Sequence, residues 1–70
     1  MKVVGQRIRE LREGLEMSQP VLAEKINVAK NTLSQYESGA CKMSIDVLVR
    51  LAKALDISTD YLLGLKKHPE

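Results

Sequence analysis

Residues 19–38 read QPVLAEKINVAKNTLSQYES, and the spacing of apolar residues in this stretch decides the fold. Leu22 and Ile26 lie four apart and Leu33 and Tyr36 three apart, so each pair shares one face of a helix. Ala23 is small, and Val28 adds a further apolar position. Between the pairs stands Asn27, a residue that leaves a helix readily by taking a left-handed conformation. Two short helices joined by a tight turn follow. That spacing suits a helix-turn-helix, whose second helix can enter the major groove of DNA.

Upstream, Val4, Ile8, Leu11 and Leu15 draw one apolar stripe and predict a first helix from about Val4 to Glu13. Arg9, Glu10 and Glu13 read as its solvated surface, and Gly14 as its stop. Ser18 is an N-cap for the second helix, with Pro20 in its first turn and Met17 placed to staple onto Leu22. The third helix begins near Ala29 or Lys30 and runs to about Ser38. Ala29 offers no side-chain cap, a cost of ~1 kcal/mol. Lys30, Asn31, Thr32, Ser34 and Gln35 make an outer surface rich in indifferent helix formers. A merely polar helix is the plain reading. A binding role explains better why helix propensity is given up there.

Downstream, Gly39 stops the third helix, and residues 40–43 form a loop. Ser44 caps a fourth helix with Asp46 in its first turn and an expected core face of Ile45, Leu48, Leu51, Ala52 and Leu55. Ser58 caps a short fifth helix carrying Asp60, with Ile57 stapled onto Leu62 and Gly64 as the stop. Residues 66–70, KKHPE, read as a polar tail. Alternating strand patterns, repeats and linkers are absent from the sequence. The expected architecture is all-α: a compact five-helix bundle, one domain over residues 1–65.

Composition narrows the function. The 70 residues carry a net charge of +2, compatible with nucleic acid without demanding it. Cys41 is the only cysteine and His68 the only histidine, so neither a disulfide framework nor a metal site is expected. No Cys/His pair, carboxylate cluster or phosphate-cradling glycine loop supports catalysis, and no cofactor or small-molecule ligand is indicated. No apolar run approaches the ~20 residues that span a bilayer. A soluble, cytoplasmic protein is expected.

Three segments, IRELREGLEMSQPVLAEKI, NVAKNTLSQYESG and SIDVLVRLAKALDISTDYLL, resemble in order and spacing the DNA-binding domain of the phage repressors and Cro, the xenobiotic-response-element (XRE) type of helix-turn-helix. The resemblance covers Gly5 to Leu65. It implies a phosphate-contacting Gln at the start of the second helix, here Gln19, and base reading by Lys30, Asn31, Thr32 and Gln35. Lysine can donate to guanine, and Asn and Gln can pair bidentately with adenine. Ser34 is expected near a phosphate or a base. Some members pair an Arg late in the first helix with a Glu late in the third, which implies an Arg12–Glu37 ion pair, with Arg12 also within reach of a phosphate. Lys42 and the Ser44 end of the fourth helix match positions that approach the DNA backbone, although Lys42 also reads as an ordinary solvated lysine. The sequence departs from the family where Asn27 replaces a turn glycine, where Ala29 replaces a Ser cap, and in the weakly basic ACKM loop.

The expected function is a sequence-specific transcriptional regulator, a repressor binding a palindromic operator as a homodimer. Tyr61 and Leu65 are candidate dimer contacts, with Leu62 assigned to the core. The alternative is an antitoxin-like or adaptor module that keeps the bundle but works through its apolar C-terminal end.

Overall fold

The structure, a computed structural model, describes residues 2–65 and, from Val3 onward, their side chains. Five helices follow one another: α1 Lys2–Gly14, α2 Gln19–Lys25, α3 Lys30–Ser38, α4 Ile45–Leu55 and α5 Thr59–Leu62. Among the described residues there is no strand, and no helix is long and apolar enough to cross a membrane. The expected tail, with its His68, lies outside the described residues.

Serine caps open three of the helices. Ser18, Ser44 and Ser58 each accept a hydrogen bond from the amide three residues on, at Val21, Val47 and Tyr61. Ala29 makes no such bond, so the first amides of α3 have no side-chain acceptor.

The helix ends share one device. Just past each helix a residue turns left-handed: Glu16, Asn27, Gly39, Asp56 and Gly64. In α1 the Met17 amide reaches back to the Arg12 carbonyl and the Glu16 amide to that of Glu13. Val28 to Ala23 and Asn27 to Glu24 repeat the pattern in α2, as do Ile57 to Ala52 and Asp56 to Lys53 in α4. These paired backward bonds satisfy carbonyls that the helix leaves open. Gly14 is therefore not the stop of α1. It lies inside the last turn, and Glu16 takes the left-handed position instead.

Ile8, Leu22, Ile26, Leu33, Leu51 and Leu62 are fully buried and form the centre of the core. Val4, Ala23, Tyr36 and Leu48 pack around them, and Leu11, Met17 and Val28 lie partly buried at the edge. Two expected core positions are outside. Leu15 is 54% exposed because the chain turns away at Glu16, one residue later. Ile45 is 80% exposed, and Val47 and Met43 are buried instead, so the core-facing stripe of α4 is displaced from Ile45 to Val47.

The crossing of α1 and α3 is unusually close. A Cβ on Gly5 would stand 2.3 Å from the Tyr36 carbonyl oxygen and 2.6 Å from that of Glu37. Gly5 lets the two backbones meet, which fixes α3 against α1.

Candidate nucleic-acid interface

At 100° per residue, Lys30, Ser34, Ser38, Asn31 and Gln35 lie in that angular order around α3 and span an arc of roughly 140°. All but Ser38 were singled out from sequence, and all five are exposed. Leu33, Tyr36 and Glu37 occupy the inner side and are buried. Thr32 lies on the border and is half-buried. The outer arc therefore carries an ammonium, two amides and two hydroxyls, and the helix is held by residues on the opposite side.

An open cleft of about 500 Å³ adjoins this arc where α1, the start of α2 and α3 meet. It brings together Gln19, Lys30, Ser34 and Arg12 from the expected set, and adds Arg9. Asn31, Thr32 and Gln35 do not line it, nor do Lys42 and Ser44. Sequence reasoning missed Arg9 by taking it for solvated surface. Its spacing of three from Arg12 on one helix was the available signal. Arg9 approaches Glu13 at 3.6 Å with both side chains largely exposed, a pair too wet to hold it strongly.

Under the cleft, Arg12 and Glu37 form a two-pronged ion pair. Arg12 Nε donates to Glu37 Oε2 at 2.8 Å and NH2 donates to Oε1 at 3.1 Å, while NH1 donates to the Met17 carbonyl at 2.8 Å. Gln19 Nε2 donates to Glu37 Oε1 at 3.2 Å, so the start of α2 joins the same network. Hydrogen bonding to Glu37 raises the Arg12 pKa above the ordinary arginine value; burial opposes the shift, and the charges of Glu37 and Glu13 add to it. The guanidinium is cationic throughout the neutral range. Arg12 is only 8% exposed and bonded on all three nitrogens. It is held at the base of the cleft, which it also lines.

Lys42 and Ser44 are exposed, with the Ser44 hydroxyl engaged as the α4 cap. Tyr61 is half-buried, with the Arg7 guanidinium 4.3 Å from its ring centroid. That stacking accompanies a buried Arg7 Nε without a hydrogen-bond acceptor. Leu65 is 74% exposed, and Val3 and Leu63 are exposed too. Among the described residues no group of His, Cys, Asp and Glu is arranged to hold a metal ion.

The profile of the helix-turn-helix family matches residues 8–62, nearly the whole bundle. The chain belongs to the XRE-type helix-turn-helix family. As a member it is 43% identical over 65 residues to the uncharacterized HTH-type transcriptional regulator YobD of Bacillus subtilis, covering 93% of this chain and 58% of that protein. It is 39% identical over 61 residues to the B. subtilis regulator ImmR, covering 87% of this chain and 48% of ImmR. The chain thus spans about half the length of the curated relatives it matches. Among solved structures, the P22 c2 repressor in complex with a synthetic operator superposes with a TM-score of 0.86 at 33% identity, covering 94% of this chain and all of that one. The family fold, five helices with α2 and α3 as the motif, is the one expected from the sequence. Its relatives are regulators of transcription rather than enzymes.

Proposed function

We propose that this chain is a sequence-specific DNA-binding domain of a transcriptional regulator, acting in the cytoplasm as a repressor, with α3 in the major groove. The observation that carries this reading is the outward arc of α3, where Lys30, Asn31 and Gln35 stand free of the core beside a cationic cleft. Base edges in the major groove present the acceptors and donors that an ammonium and two amides match. Thr32, at the border of the arc, reaches a neighbouring base.

Gln19, Ser34, Lys42 and Ser44 hold the phosphate backbone and fix register without reading sequence. Arg9 joins them from α1, and Arg12 adds its positive charge from below. The uncapped amides at the start of α3 offer the same backbone a further donor. A palindromic operator bound by a homodimer, one α3 per half-site about 34 Å apart, follows from the motif's docking geometry. The operator complex of the similar P22 c2 repressor supports DNA as the partner.

Selection of bound sequences from a random DNA pool, followed by salt titration of the winner, tests the whole reading. A palindromic consensus and an affinity that falls steeply with salt are expected. Absence of binding at low salt would remove the proposal. It would favour a protein-interaction module, a reading supported by exposed Val3, Leu63 and Leu65 at one end of the bundle.

A further inference from the structure

We infer that Arg50 is a positioning residue for α3, acting through the peptide on which the turn of the motif pivots. Arg50 lies on α4, outside the motif, and does not line the cleft beside the outer arc. Its NH1 donates to the Ile26 carbonyl at 3.2 Å, and its NH2 pairs with Asp46 Oδ2 at 2.8 Å, one turn earlier on the same helix. The Ile26 carbonyl shares a peptide unit with the Asn27 amide, and that amide donates to the Glu24 carbonyl at 3.2 Å. The Ile26–Asn27 peptide plane is therefore held on both sides, by α4 through its oxygen and by α2 through its nitrogen.

That plane sets the direction of everything after it. Rotating it changes ψ of Ile26 and φ of Asn27 together, and Asn27 stands at φ 59 without being glycine. Asparagine enters the left-handed region more readily than most residues, and the two hydrogen bonds of this peptide fix how far it turns there. α3 begins three residues later at Lys30, and Ala29 gives its first turn no side-chain cap. The start of the reading helix thus lacks a local anchor and takes its aim from the turn. Recognition geometry must be held within about 0.5 Å and 10–20°. The guanidinium is already shared between Asp46 and the Ile26 carbonyl, so Arg50 acts on the turn and does not contact a phosphate.

In its effect on binding, this inference rests on the DNA-binding reading above. The test uses the full chain with Arg50→Met, Arg50→Lys and Asp46→Asn, each compared with wild type by amide hydrogen exchange and by titration with the selected operator and with random DNA. Arg50→Met is expected to speed exchange at Asn27 and Val28 by about tenfold while the α1 and α4 amides keep their protection. Operator affinity should fall about tenfold, random-DNA affinity should stay within about twofold, and the salt slope should not change. Arg50→Lys should recover part of the loss, and Asp46→Asn should show a smaller effect of the same kind.

Unchanged exchange at Asn27 and Val28 would overturn the inference, as would a uniform rise along the chain, which marks a purely global role. Equal loss on both DNAs with a salt slope lowered by about one would also overturn it, because Arg50 would then be a phosphate contact. Should wild type bind no DNA, the binding reading fails by itself. The exchange pattern still decides whether Arg50 holds the turn.

Discussion

Arg12 and Glu37 show how one pair of side chains serves both stability and the candidate site. Each is buried, each satisfies the other, and Gln19 is drawn in by the same carboxylate. Removing one partner leaves an uncompensated buried charge, so Arg12→Ala should cost about 3 kcal/mol or more in a denaturant melt. Replacing both by Met should cost far less, since apolar groups of similar volume can stand in for a buried pair. The sign of the pH dependence follows from the raised arginine pKa: the contribution is complete below the ordinary arginine value and is lost only as pH rises through the still higher folded one. The cost of Arg12→Ala should therefore be the same at pH 7 and pH 10, measured by parallel melts. Asn31→Ala and Gln35→Ala, at exposed positions, should leave the melting temperature within a degree or two while lowering operator affinity by about 1–3 kcal/mol each. The ion pair was legible only through the family resemblance, because residues 25 positions apart carry no local signal of contact. Arg50 had no signal at all, since an arginine on a helix reads as solvated until the carbonyl it caps is in view.

Among the helices, the local chemistry of starts was readable and that of stops only partly so. Serine caps act within three residues of chain, and all three occur where the sequence placed them. Stops depend on which carbonyls the chain can reach. At the end of α1 that geometry assigns the left-handed position to Glu16, although a glycine lies two residues before it. Glu16→Gly should therefore stabilise the domain, by about 0.5–1 kcal/mol after the entropy of the new glycine is counted. Gly5→Ala should do the reverse. A mid-helix Gly→Ala exchange ordinarily gains up to about 1 kcal/mol, but here the methyl meets two backbone carbonyls, and overpacking of 1–3 kcal/mol or more wins. A melt showing Gly5→Ala at or above wild-type stability would refute the close crossing of α1 and α3. The displaced stripe of α4 has a similar cause: intervals of three and four fit both Ile45 and Val47, and only tertiary packing chooses Val47.

For the molecule as a whole, size constrains how two copies would meet in the proposed operator complex. The backbone measures 28 × 23 × 18 Å, and half-sites one turn apart lie about 34 Å from centre to centre. With the long axis along the duplex, the two backbones are separated by little more than one layer of side chains. Contact on that scale is small, so a domain of this length should be monomeric at micromolar concentration and pair on the operator, an outcome that sedimentation with and without DNA would check. Leu65→Asp should weaken that pairing if exposed Leu65 supplies it; unchanged cooperativity in the operator titration would clear Leu65 of the role.

The separation of α3 into an inner and an outer side has a consequence for how such chains diversify. Leu33, Tyr36 and Glu37 bind the helix to the bundle, whereas Lys30, Asn31 and Gln35 are exposed and make no part of the core. Substitutions on the outer side are thus close to free of folding constraint, and under the proposed function duplicated copies would drift to new target sequences one side chain at a time. The inner side, Gly5 and the Arg12–Glu37 pair allow no such latitude. Vocabulary is free to vary here because grammar is not.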